Sequence, residues 1–312
     1  MTTDKNNLAR LPLVSIGVGS YNNARFIRET LDSIAAQTYQ NIEIIINDDC
    51  STDNSIEVIE NWINEHRNLE IVLLKNDQNR GLCKSINNML SIYKGDYLSL
   101  IASDDKYLPD FVMNRVNYLL ATPNDVGICY SKSFLINEHD SKRIGMEERH
   151  FWPTGYIFEK ICGLDGSFCK PFTAMVKRSV YDVVGKYDDS LLFEDIDFFL
   201  KASRIFQIDF LDVLDTEYRI VKGSLGTQVY SNKGLVSLSK IIIRNFGASK
   251  ETDFLLAKRL RKVALKKMEL DEKTWIEDLQ LANSYNKKIS DTILASLGKI
   301  GIGNSILKKF RK

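Results

Sequence analysis

Short apolar runs alternate with helix-spaced stretches along the first 130 residues. Residues 13–18 (LVSIGV) predict a first strand, closed by Gly19. Phe26, Ile27, Leu31, Ile34 and Ala35 then recur near helical spacing and predict a crossover helix. Residues 42–46 (IEIII) are nearly all β-branched, as in a strand covered on both faces. Ile56, Ile59, Trp62 and Ile63 mark the next helix, with Asp53, Asn54 and Ser55 as cap candidates. Residues 70–74 predict a third strand. Gly81 precedes a helix carrying Ile86, Met89, Leu90 and Tyr93. Residues 97–101 predict a fourth strand, followed by a Ser103-Asp104-Asp105 turn and a helix with Pro109 in its first turn. Residues 126–130 predict a fifth strand.

This alternation predicts an α/β fold with a doubly wound, mainly parallel sheet and right-handed crossovers. The pattern loosens over 131–172, where aromatics mix with breakers such as Trp152-Pro153. It returns over 172–176 and at Ile196, Phe199 and Leu200, which mark a helix. From about Leu235 the chain reads as helical and polar. The expected layout is a tail over 1–10, an α/β domain over 11–220 and a mainly helical extension over 221–312. The domain divides into a regularly alternating half (11–130) and a looser half (131–220).

The chain has 312 residues, 44% hydrophobic and 27% charged, which fits a folded globular protein and excludes a disordered one. It holds no apolar run long enough to span a membrane as a helix. Residues 1–10 lack the apolar stretch of a secretory signal. Five scattered cysteines and three histidines without metal-like spacing fit a reducing cytoplasm and disfavour a zinc site. The net charge of +1 hides a division: residues 239–312 carry 17 basic against 8 acidic residues, and the first 238 carry 25 against 33. That profile does not fit a nucleic-acid binder. The basic segment is either a tail that rests on an anionic surface or a solvated helical one.

Ligands of open α/β sheets bind beyond the carboxyl ends of the strands. Gly19-Ser20-Tyr21-Asn22 follows the first strand, Asp48-Asp49 the second and Asp104-Asp105 the fourth. Carboxylates gathered at one sheet edge repel unless a cation sits between them. A hard divalent ion held by one or two carboxylates, diphosphate oxygens and water answers that need; helix capping is the plainer alternative for any one pair. No GxGxxG or GxxxxGK[ST] sequence follows the first strand, which removes support from dinucleotide and P-loop readings. Lys84 and Arg80 are then candidates to neutralise a diphosphate, or ordinary surface charges.

Four segments occur together: LVSIGVGSYNNARFIRETLDSIAAQTYQNIEIIINDDCSTD, NDQNRGLCKSINNML, GDYLSLIASDDKYLPD and VGKYDDSLLFEDIDFFLK. In order and spacing they resemble family 2 glycosyltransferases of the GT-A fold, inverting enzymes that use nucleotide sugars, over roughly residues 11–220. The resemblance implies that Tyr21 packs against the nucleotide base and that Asp48 accepts from the N3–H of uracil, which favours UDP. Asp49 is left with a turn-forming role. By the same resemblance Lys84 lies near the nucleotide, Asp104 faces the ribose or sugar, and Asp105 ligates Mn²⁺ or Mg²⁺. Asp195 resembles the catalytic base, and Glu194 beside it would contact acceptor or structure. Ala102 stands where many relatives have aspartate, so the motif is Ser-Asp-Asp. Cys50 stands where glycine is common, and a positive φ there would strain it, so an altered turn is expected.

The implied partners are a nucleotide-sugar donor and a glycan or lipid-linked saccharide acceptor of the bacterial O-antigen or capsule type, with no nucleic acid. Phe151, Trp152, Tyr156 and Phe158 could face acceptor sugars or pack in the core. The C-terminal stretch with Ile293, Leu294, Leu297, Ile300, Ile302, Ile306 and Leu307 among basic residues is either a peripheral membrane contact or a helix packed on the domain. The expected location is cytoplasmic, at or near the inner face of the membrane. Two rival readings are a nucleotidyltransferase, which lacks its Gly-rich basic loop here, and a non-catalytic glycan-binding protein on the same fold.

Overall fold

The computed structural model describes residues 11–149, 151–164, 168–193 and 195–300. Packing divides the chain into two units. The first comprises Met1–His150, Cys169–Lys186 and Ile208–Ile220, the second Phe151–Phe168, Tyr187–Gln207 and Val221–Lys312.

The chain opens with β1 (Val14–Ser20), α1 (Ile27–Ala35), β2 (Ile42–Asp48), α2 (Ser55–Glu65), β3 (Glu70–Lys75), α3 (Leu82–Leu90) and β4 (Tyr97–Ala102). These four strands are parallel in the order β3-β2-β1-β4. Both faces of β1 and β2 are covered, hence their unbroken apolar runs. Ile27, Leu31 and Ile34 of α1 and Ile59 and Trp62 of α2 pack on Ile16, Val18, Ile44 and Ile46. The Trp62 indole N–H donates to Asp32 (2.7 Å), so the two helices are also joined by a hydrogen bond. Gly17 lets α3 approach β1: a Cβ there would meet Leu100 at 2.7 Å and Met89 at 3.2 Å.

Next come β5 (Lys106–Tyr107), α4 (Phe111–Ala121), β6 (Val126–Asn137) and β7 (Arg143–Met146). After α5 (Phe158–Cys162), which belongs to the second unit, follow β8 (Met175–Lys177), α6 (Arg178–Val184), α7 (Asp195–Ala202, second unit) and β9 (Gln207–Ile220). β8 pairs antiparallel with β4 and β6, and β5 with β9, so an antiparallel half continues the parallel one in the order β4-β8-β6-β9-β5. In the stretch 172–176, where periodicity returns, Pro171–Thr173 forms a 3₁₀ turn and the strand begins only at Met175. Helix α4 begins at Phe111, after Pro109. β9 is the longest element that the sequence analysis did not predict; β5, β7, α5 and α6 also lay outside its reading.

A buried ion pair holds this half together. Arg115, fully buried, forks onto both oxygens of Asp215 on β9 (2.8 and 3.1 Å). Its remaining donors reach the carbonyls of Thr173 and Phe111 and the Ser131 hydroxyl. The guanidinium lies 3.6 Å from the Phe111 ring, itself stacked on Tyr107. One side chain thereby joins α4, β6, β9 and the 3₁₀ turn, with bidentate geometry that only arginine offers.

The second unit continues with α8 (Asn232–Ile243), α9 (Lys250–Glu269), α10 (Trp275–Tyr285) and α11 (Ile289–Lys299). Ser231 and Ser249 cap α8 and α9 by accepting from the N–H groups of Gly234 and Thr252. Lys267, buried on α9, donates to Asp278 (2.6 Å) and Thr274 (2.8 Å), and Asp278 also accepts from Ser239. Ala264, Met268, Trp275, Leu279 and Ala295 fill the space among α9, α10 and α11. Among the described residues no helix is long and apolar enough to cross a membrane.

Two stability outcomes follow. Arg115→Ala strands Asp215 in the interior and should cost about 3–5 kcal/mol in denaturant unfolding, whereas a paired Arg115→Met, Asp215→Leu replacement should cost much less. In the second unit, burial alone would raise the Asp188 carboxyl, yet bonds from Ser190 and the Arg244 guanidinium bring it down to about 2. A depressed carboxyl stabilises the fold above its unfolded pKa and loses that contribution as pH falls through the folded value. Asp188→Asn should therefore lower stability by about 1–2 kcal/mol at neutral pH, and the difference should close as the pH approaches 2 in pH-resolved melting.

Candidate active site

The carboxyl ends of β1, β2 and β4 lie side by side, with Ser20 opposite Asp48 and Gly19 opposite Ala102. The loops that leave them are stitched together by short polar side chains. Asn22 donates its N–H to Ser51 Oγ (2.9 Å) and accepts from the Thr52 N–H (2.7 Å). The N–H groups of Asn23 and Ala24 donate to Ser55 and Asp53 (both 3.0 Å), and the Asn23 amide donates to Ser103 (2.8 Å). Tyr21 stands exposed at the crest of this lattice.

Asp48 is buried and held from both sides: Oδ1 accepts the Ser51 N–H (2.8 Å), Oδ2 its hydroxyl (2.6 Å). Each oxygen keeps a second lone pair, so the group can still accept from a ligand N–H. The turn after it is not altered by cysteine. Cys50 adopts φ +63°, the left-handed conformation expected of glycine. The bonds of Ser51 to Asp48 and of Asp49 to the next loop hold it there, at about 1–2 kcal/mol of strain.

Asp49 does more than form a turn. Its Oδ1 accepts from the Arg80 N–H (2.8 Å) and the Asn76 amide (2.7 Å), its Oδ2 from the Gly81 N–H (2.8 Å). One buried carboxylate thus clamps the loop that ends in Gly81 (φ +85°), the N-cap of α3. Lys84 is exposed one turn further along that helix. Arg80, the other candidate for a diphosphate, pairs with Asp77 (2.7 Å).

Asp104 and Asp105 form the turn between β4 and β5. Asp105 is buried; its Oδ1 accepts the backbone N–H of Arg219 on β9 (2.9 Å), and its carbonyl accepts the Thr30 hydroxyl (2.7 Å). Arg219 Nε donates to the Asp104 carbonyl (2.8 Å), while its other nitrogens reach Glu29 (2.9 Å) and Ser141 (2.7 Å). Burial, and then the charge of Asp104, push the Asp105 carboxyl well above the usual range. Burial raises Asp104 as well, against the pull of Arg219 and Arg25. Lys170, whose ammonium lies 3.9 Å from the centre of the Tyr218 ring, also lowers the Asp105 carboxyl, but not enough to offset burial.

Two adjacent carboxylates whose charge the surrounding cations leave under-compensated are a donor set that fits a hard divalent ion. Among the described residues no group of three or more His, Cys, Asp or Glu side chains could share an ion. Asp104 and Asp105 would hold it together with water and ligand oxygens.

The first unit thus brings Tyr21, Asp48, Asp104 and Asp105 to one sheet edge. Asp195 belongs to the second unit, where it is half-buried as the first residue of α7. Asp197, two residues on and so on the other side of the helix, is paired with Lys201 (2.5 Å). Glu194 lies outside the described residues. In the same unit Phe151 and Tyr156 are exposed, and Phe158 lies under the Arg204 guanidinium at 3.8 Å. The sequence analysis missed Arg219 and Lys170. The signal for Arg219 is the alternation over residues 214–219, where Leu214, Thr216 and Tyr218 place Asp215, Glu217 and Arg219 on the other face of β9.

Residues 15–185 match the profile of the glycosyl transferase family 2, more than half of the chain. The matches span 33%, 61% and 61% of the length of three rickettsial proteins named uncharacterized glycosyltransferases, at 27–28% identity and 64% of this chain. The chain is 27% identical over 242 residues to the Escherichia coli UDP-Glc:alpha-D-GlcNAc-diphosphoundecaprenol beta-1,3-glucosyltransferase WfaP, covering 74% of this chain and 86% of that protein. In fold it is similar to Staphylococcus aureus TarS 1–349 solved with UDP-GlcNAc (TM-score 0.70, 18% identity, 96% of this chain and 91% of that one). It is also similar to the Pyrobaculum calidifontis mannosyltransferase PcManGT solved with GDP-Man and Mn²⁺ (TM-score 0.61, 19% identity, 94% of this chain and 81% of that one).

Removing the Asp49 clamp provides a direct test of the loop architecture. Asp49→Ala should destabilise the chain by roughly 2–3 kcal/mol. It should also speed amide exchange at Arg80 and Gly81 selectively, which hydrogen-exchange mass spectrometry would resolve.

Proposed function

The chain belongs to glycosyl transferase family 2, and from that premise we propose that this glycosyltransferase moves a hexose or N-acetylhexosamine from a UDP-sugar to a hydroxyl of a glycan or lipid-linked saccharide in surface polysaccharide synthesis. The observation that carries the reading is the single edge on which a fixed acceptor carboxylate, Asp48, and an under-compensated carboxylate pair, Asp104 and Asp105, stand together. That pair of functions suits a nucleotide sugar: a base with an N–H and a doubly charged diphosphate. TarS, solved with UDP-GlcNAc, and WfaP, named for UDP-Glc, support UDP as the nucleotide.

In this reading Tyr21 packs on the uracil ring and Asp48 accepts its N3–H. Asp104 faces the ribose or sugar. Asp105, with Asp104, would hold Mn²⁺ or Mg²⁺. When bound, the metal supplies Lewis-acid stabilisation of charge on the departing diphosphate. Lys84 adds positive charge from the first turn of α3. Transfer with inversion forms a bond from the acceptor oxygen to the anomeric carbon as the bond from that carbon to the diphosphate oxygen breaks. Asp195 takes the acceptor's proton, and UDP leaves with the electron pair. General-base help of this kind is worth on the order of 10²–10⁴-fold.

The test is release of nucleotide from UDP-Glc, UDP-Gal, UDP-GlcNAc, UDP-GalNAc and GDP-Man, each with Mn²⁺ or with chelator and a lipid-diphosphate-linked monosaccharide as acceptor. The expected result is metal-dependent release from one UDP-sugar, lost in Asp105→Ala. Asp195→Asn should lower turnover by about 10²-fold or more while leaving calorimetric UDP binding within a few-fold of the parent. Near-parental turnover in Asp195→Asn would remove the base assignment, and preference for GDP-Man would replace the uracil reading of Asp48.

A further inference from the structure

Helix α11 buries one side and presents the other without a partner among the described residues. Asp291 pairs with Arg261 on α9, Ala295 belongs to the core among α9, α10 and α11, and Gly298 sits so close to α10 that a Cβ would meet the Trp275 ring at 2.6 Å. At 3.6 residues per turn these positions share one side of the helix. Ile289, Ile293 and Ser296, with Ile300 at the C-cap, fall within about 60° of one another on the opposite side. The three isoleucines are 75%, 55% and 74% exposed. Scattered exposed apolar residues need no explanation, but three in line over about 16 Å do.

The charge around this stripe says what covers it. Lys287 and Lys288 lead into the helix and Lys299 ends it, all three exposed. Residues 287–312 carry seven Lys or Arg and a single acidic residue, Asp291, which Arg261 already neutralises. Lys308, Lys309, Arg311 and Lys312 among these lie outside the described residues and enter by sequence alone. A second copy packed on the stripe would set these lysines against their own kind. An anionic surface meets both the apolar face and the cations.

We propose that α11 is a membrane-contact surface, its isoleucine face seated at the headgroup–acyl boundary of an anionic phospholipid bilayer and its lysines on the lipid phosphates. Such a helix lies in the interface plane without spanning it. The inference goes beyond the transfer reaction and does not depend on it. A lipid-linked acceptor gives the contact a purpose, but lipid binding is measured without donor or acceptor, so either reading can fail alone.

The test is flotation of the full chain with vesicles of phosphatidylglycerol and phosphatidylethanolamine, against vesicles of phosphatidylcholine, at about 50 mM and about 500 mM NaCl. The protein should float with the anionic vesicles, less so at high salt, and scarcely with phosphatidylcholine. Ile289→Asp with Ile293→Asp should reduce the bound fraction about tenfold or more, and Lys287→Glu with Lys288→Glu should reduce it several-fold. Both variants should keep the parental circular dichroism and melting midpoint, because the substituted side chains are exposed. Failure of the parent to bind anionic vesicles, or unchanged binding by the aspartate variant, would overturn the proposal. So would a parental dimer in light scattering that the aspartate variant splits, since a second copy would then own the face.

Discussion

Burying ionised groups on one strand is the constraint on which the first unit turns. Asp215, Glu217 and Arg219 alternate along β9, and all three are less than a tenth exposed. Each meets its own counter-charge: Arg115 for Asp215, Lys106 and Arg143 for Glu217, and Glu29 for Arg219. An unpaired charge in such surroundings costs as much as a large packing defect. Slipping β9 by one residue would carry all three to its other face and break every pair at once. The pairing therefore fixes the register of β9 against β5, and that register puts the Arg219 N–H on Asp105.

The sheet edge displays two ways of treating an aspartate. Asp48 and Asp49 are surrounded by donors that hold them in place, three N–H groups in the case of Asp49. Asp104 and Asp105 sit where burial and mutual repulsion outweigh the nearby cations. The first pair is built into the scaffold and gives it shape. The second is left with electrostatic demand, which a binding site needs if an incoming cation is to be favoured there. Residue type alone does not distinguish these fates; the number of donors within reach does.

Much of this was legible in the sequence. The parallel half follows from apolar runs that are continuous because both strand faces are covered, and the acidic turns follow from where those runs stop. β9 was not legible by the same rule, because its buried face is ionic and an interior made of paired charges does not register as hydrophobic. Over residues 214–219 its two faces do alternate, so period-two counting there would have marked it. Asp49 was underrated for another reason: two of its three partners are backbone N–H groups 31 and 32 residues away, and those carry no side-chain signature. Cys50 shows the converse, since a conformational preference of about 1–2 kcal/mol gave way to the combined hold of the surrounding bonds.

That left-handed cysteine also gives the turn a direction of release. Cys50 stands between Asp49 and Ser51, and the backbone torsion it would adopt by itself is one that the neighbouring bonds forbid. The turn is in effect a cocked spring, with Ser51 and the 76–81 loop as its catches. If those catches let go, the backbone at Cys50 gains by swinging away from its present course, while the Asp48 backbone stays paired with Ser20 and Lys75 in the sheet. Glycine at this position would remove the tension and with it the impulse, leaving a turn that could open but would not be driven to.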